Sequence, residues 1–154
     1  MPNQGRIIRL LLVVLSAYAA TACRSNALGN HLYLMEGDQK EDRIIVYCSK
    51  TELGECLSGI PVIPRYERQY APNGHYAEYV DAVVAEREWV MVRTVRVATG
   101  RYQYWLIRNN FNLDRWDCAR QDCDGTLQYH VIGPLNYAPF TAQRTALQLN
   151  APFK

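Results

Sequence analysis

Apolar and polar positions alternate most clearly in the middle of the chain. Trp89 to Val97 reads Trp-Val-Met-Val-Arg-Thr-Val-Arg-Val, and Arg101 to Arg108 reads Arg-Tyr-Gln-Tyr-Trp-Leu-Ile-Arg. Ala98-Thr99-Gly100 between them is a hairpin-loop signal. The first run offers Trp89, Met91, Val95 and Val97 on one face. The second offers Tyr102, Tyr104 and Leu106 on one face and Trp105 and Ile107 on the other. Apolar content on both faces predicts a central hairpin of an antiparallel sheet. Cross-strand aromatic and β-branched pairs stabilise such a hairpin by a few tenths of a kcal/mol each.

Weaker signals flank this hairpin. His31 to Met35 predicts a short strand, Glu36 to Asp42 a charged turn, and Arg43 to Cys48 a β-branched strand. Leu57 to Tyr66 is extended, but Pro61 and Pro64 argue against a central strand. Ala71-Pro72-Asn73-Gly74 is a turn signal. His75 to Ala85 reads as a strand or a short helix, and Glu86-Arg87-Glu88 turns the chain into the hairpin. Asn109 to Gly125 reads as a long polar loop. Thr126 to Ile132 then alternates Leu127, Tyr129 and Val131 with Gln128 and His130, which predicts a strand ended by Gly133-Pro134. Residues 137 to 149 predict a helix, with Asn136 as cap, Pro139 in the first turn, and Phe140 and Leu147 facing the sheet. The expected class is α+β: a twisted antiparallel sheet with a C-terminal helix, stabilised by disulfides, in one domain over residues 31–154.

The N-terminal pattern is different in kind. Arg6 and Arg9 precede an apolar run from Leu10 to Ala20, and Ala19-Ala20-Thr21-Ala22 leads into Cys23. The run is too short for a spanning helix, which needs roughly 20 residues, and has the layout of an export signal. It resembles the signal peptide and lipobox of bacterial lipoproteins, with Ala20 where that family usually has Leu. The resemblance covers residues 1–23 and implies removal of residues 1–22. It also implies lipidation of the Cys23 thiol by a diacylglyceryl group and a lipidated tether over residues 23–30. Acyl chains contribute about 0.8 kcal/mol per buried methylene to membrane attachment. Arg24 follows the cysteine where Asp would favour retention in the inner membrane. The resemblance therefore implies a lipid anchor in the outer membrane, facing the periplasm.

Charge follows from that reading. Removing 22 of the 154 residues leaves 132, and losing Arg6 and Arg9 lowers Lys+Arg from 17 to 15, equal to the 15 Asp+Glu. A neutral mature chain with interspersed charges lacks the positive surplus that phosphate binding needs. Nucleic acid is therefore not an expected partner, and the expected membrane contact is the N-terminal lipid alone.

Four cysteines follow Cys23: Cys48, Cys56, Cys118 and Cys123. An even number in an exported chain predicts two disulfides. Three pairings exist, and the local one, Cys48–Cys56 with Cys118–Cys123, is the simplest because each pair brackets a turn-like segment. Neither pair has the spacing of a zinc site, and no histidine lies close in sequence to either.

No catalytic pattern emerges. His31, His75 and His130 lie in no metal-binding spacing, and His130 reads as solvent-facing. No G-x-S-x-G is present. Asp114, Asp117, Asp122 and Asp124 gather in the loop without the ligand series of an EF-hand. No enzyme, cofactor or metal is expected. The candidate partner-binding set is Phe111, Arg115, Trp116, Asp117, Arg120, Asp122 and Asp124, because Trp and Arg are enriched at binding hot spots. A loop restrained by a disulfide is ordered at lower cost. A tyrosine-rich patch, Tyr66, Tyr70, Tyr76 and Tyr79 beside Arg65 and Arg68, has similar composition. The expected partner is a protein: a secreted toxin or cell-wall hydrolase that this chain neutralises. This reading is similar in kind to periplasmic lysozyme inhibitors and immunity lipoproteins. The alternative is a structural accessory of an envelope secretion or assembly complex.

Overall fold

The computed structural model describes residues 25–153. The signal segment and Cys23 lie outside the described residues. Strands β1 (Ser25–Gly29), β2 (Leu32–Met35), β3 (Ile44–Glu52) and β4 (Glu55–Ile63) form one antiparallel sheet in that order. Strands β5 (Glu78–Glu86), β6 (Trp89–Arg96), β7 (Arg101–Arg108) and β8 (Val131–Leu135) form a second. Three α-helices, α1 (Tyr66–Gln69), α2 (Cys123–Tyr129) and α3 (Tyr137–Ala146), and a 3-10 turn over Lys40–Asp42 complete the described fold. The class is α+β, with antiparallel strands and a C-terminal helix, but the strands divide between two sheets.

The sheets bury a common core. Leu32, Leu34, Ile45, Tyr47 and Ile63 of the first sheet meet Val80, Val90, Val92, Trp105 and Ile107 of the second, with Leu113, Cys123 and Leu127 closing one side. Strands β6 and β7 are central and apolar on both faces because the second sheet is covered twice. Its far face carries Met91, Tyr104 and Leu106, and these pack against Phe140 of α3 and Leu149 of the following segment. Phe140 stacks on Tyr104 with ring centroids 4.7 Å apart. The Arg144 guanidinium donates to the carbonyls of Leu149, Asn150 and Ala151 at 2.9–3.1 Å, which holds the C-terminal segment down.

Several sequence expectations change. Ser25–Gly29, expected within the tether, pairs with β2 as strand β1. Its turn is held from the second sheet: the Asn109 side-chain amide donates to the Gly29 carbonyl at 2.7 Å, and Asn30 donates to the Asn109 carbonyl at 2.6 Å. Of the alternation over Thr126–Ile132, only Val131 and Ile132 lie in a strand, the start of β8. Cys123–Tyr129 is helix α2, where the Asp122 carboxylate accepts from the Gly125 N–H at 2.7 Å and Leu127 is fully buried. A capped first turn and a core-directed leucine outweigh a period-two pattern here. Gly133-Pro134 lies inside β8 rather than ending a strand. Gly133 has φ +144°, and a Cβ there would meet the Trp105 ring at 2.7 Å, so only glycine lets β8 approach. Helix α3 stops at Ala146, short of 149, and Asn136 stands at its cap position without a side-chain hydrogen bond. β4 is an edge strand, as Pro61 leads one to expect.

Candidate functional site

The segment from Asn109 to Asp124 leaves the end of β7, crosses one side of the core and enters α2 through the second disulfide. Its first part is fixed by packing. Phe111 stacks between Tyr47, centroids 5.7 Å apart, and His130, 4.4 Å apart. The Leu113 side chain is buried, and its N–H donates to the Tyr47 hydroxyl at 2.7 Å. Burial raises the Tyr47 phenol above its ordinary value, partly offset by that hydrogen bond. His31 Nε2 lies 3.3 Å from the Asp114 carboxylate. Phe111, grouped with the binding residues on sequence, is thus half-buried and anchors the segment. His130 is half-buried against Phe111 rather than solvent-facing, and burial followed by the Arg108 charge lowers its pKa.

The second part projects. Arg115 through Asp122 are all exposed, and Trp116 shows 40% of its surface to solvent. The loop is not slack, however. Cys118 and Cys123 are bonded with Cα atoms 5.4 Å apart, and Cys123 is buried in the common core. The Asp117 carboxylate accepts from the Ala119 N–H at 3.1 Å, and the Gln121 side chain accepts from the Asp117 N–H at 3.0 Å. The Trp116 N–H donates to the Leu113 carbonyl at 2.8 Å, which closes a turn next to the anchored leucine. The other pair, Cys48–Cys56, joins β3 to β4 with Cα atoms 5.7 Å apart. Both disulfides follow the local pairing.

The four aspartates do different jobs. Asp122 caps α2, and Asp124 pairs with Arg65 and so ties α2 to the start of α1. Asp114 faces His31. Asp117 lies 3.4 Å from Arg120, with side chains 58% and 85% exposed. Exposed pairs of that kind contribute about 0–1 kcal/mol, so a partner can claim either group at little cost. The sequence set therefore separates. Arg115, Trp116, Asp117 and Arg120 share one exposed loop, whereas Phe111, Asp122 and Asp124 hold that loop in place. Tyr66 and Tyr129, 70% and 87% exposed, stand on the two helices joined by the Arg65–Asp124 pair. Tyr129 was not among the sequence candidates, because its segment reads as a strand.

A buried polar chain also escaped sequence reading. Glu78 is 1% exposed, and its carboxylate accepts from Arg68 Nε at 2.8 Å and from the Thr94 hydroxyl at 2.6 Å. The same Thr94 oxygen accepts from Trp105 Nε1 at 3.0 Å, and the Arg68 guanidinium lies 5.0 Å from the Trp105 ring. On the far side of the second sheet, Asp81 is the extra residue of a β5 bulge between Val80 and Ala82. It receives Lys40 at 2.6 Å and Arg93 at 2.7 Å. Burial alone would raise its carboxyl, but the hydrogen bonds and charges of Lys40 and Arg93 more than offset this and lower it. Among the described residues no three His, Cys, Asp or Glu side chains are grouped to hold a metal ion, and no helix is long and apolar enough to cross a membrane. Compared with known proteins, the chain matches no family model, no curated protein and no solved structure.

Proposed function

We propose that this chain is a lipid-anchored periplasmic binding protein that neutralises a secreted toxin or a cell-wall hydrolase through the loop Arg115–Asp122. One observation carries the reading. An exposed Trp flanked by two exposed Arg sits on a loop whose two ends, Leu113 and Cys123, are both buried in the core. Such a loop meets a partner already ordered, which removes part of the cost of association. Trp116 is the expected anchor, filling a pocket or cleft of the partner. Arg115 and Arg120 pair with its carboxylates, and Asp117 with its basic groups. Tyr66 and Tyr129 extend the contact across α1 and α2.

The test is capture of the C-terminally tagged protein from detergent-solubilised envelopes, as wild type and as Trp116→Ala, with partners identified by mass spectrometry. One toxin or hydrolase recovered near equal stoichiometry with wild type and lost with Trp116→Ala supports the proposal. Recovery of several subunits of a membrane machine, unchanged by the substitution, would point to an assembly accessory instead.

A further inference from the structure

The outer face of the first sheet differs from every other face of this fold. Val46, Cys48 and Cys56 are buried there, with Tyr33, Met35 and Ile44 packed around them, and all six belong to strands β2, β3 and β4. No described helix contributes to this cluster, in contrast to the far face of the second sheet under α3. A groove of about 420 Å³ runs over it, and its lining includes Met35, Ile44, Val46, Gly59 and Pro61. That volume falls within the roughly 300–1,000 Å³ of ligand clefts. Three acidic residues, Glu36, Asp38 and Asp42, also line it, and two of them are engaged: Glu36 faces Arg43 and Asp42 accepts from Tyr76. Met35, Ile44, Val46, Gly59 and Pro61 offer no side-chain hydrogen-bonding group, so this part of the groove suits an unbranched apolar chain.

The chain's own path says what lies next to it. In the pairing of β1 with β2, Ser25 is opposite Met35, one of the residues that line the groove. Cys23 is two residues earlier. At about 3.3–3.6 Å per residue its attachment point is within about 7 Å of Ser25 along the backbone. We infer that the groove on the outer face of the first sheet holds an acyl chain carried by Cys23. This rests on the reading of Cys23 as a lipidation site. The groove would shelter one chain whenever the protein is out of the bilayer, since every methylene withdrawn from water stabilises the sheltered form.

The experiment compares full-length protein extracted from membranes with a Cys23→Ala variant, each checked by intact mass. The probe is a fluorescent palmitate analogue. The acylated wild type is expected to take up little probe, because its own chain fills the groove. Cys23→Ala is expected to bind it, and Ile44→Lys or Met35→Lys in that background is expected to weaken binding about tenfold or more while near-ultraviolet circular dichroism stays native. An acylated wild type that binds probe as well as Cys23→Ala overturns the inference, and so does binding insensitive to both lysine variants. A wild-type mass without acyl groups removes the lipidation reading itself, a failure the mass measurement separates from the others.

Discussion

Arg68→Ala tests the buried polar chain beneath the second sheet. Glu78 is almost fully buried, and Arg68 reaches it through Nε at 2.8 Å and through a terminal guanidinium nitrogen at 2.6 Å. Without the guanidinium, the carboxylate keeps a single partner, the Thr94 hydroxyl. Removing one member of a buried ion pair costs about 3–5 kcal/mol, mostly as an uncompensated charge. The Arg68 side chain is 30% exposed, so water reaches the vacated space, and the low end, about 3 kcal/mol, applies. Loss of the cation–π contact with Trp105 adds about 0.5–1 kcal/mol. Urea unfolding followed by tryptophan fluorescence, disulfides intact, measures the change as a lower midpoint at constant slope. Arg68→Met combined with Glu78→Met removes both charges and should recover more than half of the loss. A loss under about 1 kcal/mol for Arg68→Ala would put the pair in the class of exposed surface pairs and refute the reasoning.

Other expectations are more local. Cys118→Ser with Cys123→Ser opens a short ring and should lower stability by about 2 kcal/mol on the loop-entropy estimate, read by chemical denaturation. Trp116→Ala should change stability by less than about 0.5 kcal/mol while removing partner capture, because the side chain contributes to the surface rather than the core. The Tyr76 hydroxyl donates to the Asp42 carboxylate, and that bond, with a smaller contribution from burial, pushes the phenol up to about 12. Ultraviolet titration should show one tyrosine ionising near 12 that Tyr76→Phe abolishes. Because the folded value is the higher one, the linked stability is complete below pH 10 and disappears as pH rises towards 12. His130 behaves in the opposite sense: its folded value is lowered, so the linked stability is present above the ordinary 6.5 and declines as pH falls through it. Imidazole proton shifts by NMR should give a His130 midpoint below 6.5, rising in Phe111→Ala as the ring becomes wetter.

The sequence displays the hairpin β6–β7 plainly because both faces of both strands are apolar, a local property of each residue. It displays the Cys118–Cys123 ring for a similar reason, since five positions separate the two thiols. Helix α2 is hidden because Leu127, Tyr129 and Val131 fit a period of two, while the features that decide the matter are the Asp122 cap and the burial of Cys123 and Leu127. Glu78 and Thr94 are hidden for a different reason. Each looks like a polar position on a solvated strand, and the residue that makes Glu78 tolerable in the core, Arg68, comes from a helix of four residues. Within the candidate loop, composition identifies Trp116 and the arginines. It does not separate them from Phe111, whose partners Tyr47 and His130 are far away in sequence.

Strand β1 forms the edge of its sheet, and Asn26, Ala27 and Gly29 are exposed with Leu28 half-buried. Its pairing with β2 ends at the turn that Asn109 grips from the second sheet. For a chain held at its N-terminal end, tension is felt first by this strand, which can peel away hydrogen bond by hydrogen bond, with Leu28 its one side chain packed against the common core. The Asn109 grip then acts as a stop. Beyond it the load is shared with β7, at the centre of the molecule. The hairpin is in effect a yielding coupling: it gives length under pull while the loop from Arg115 to Asp122 keeps its shape.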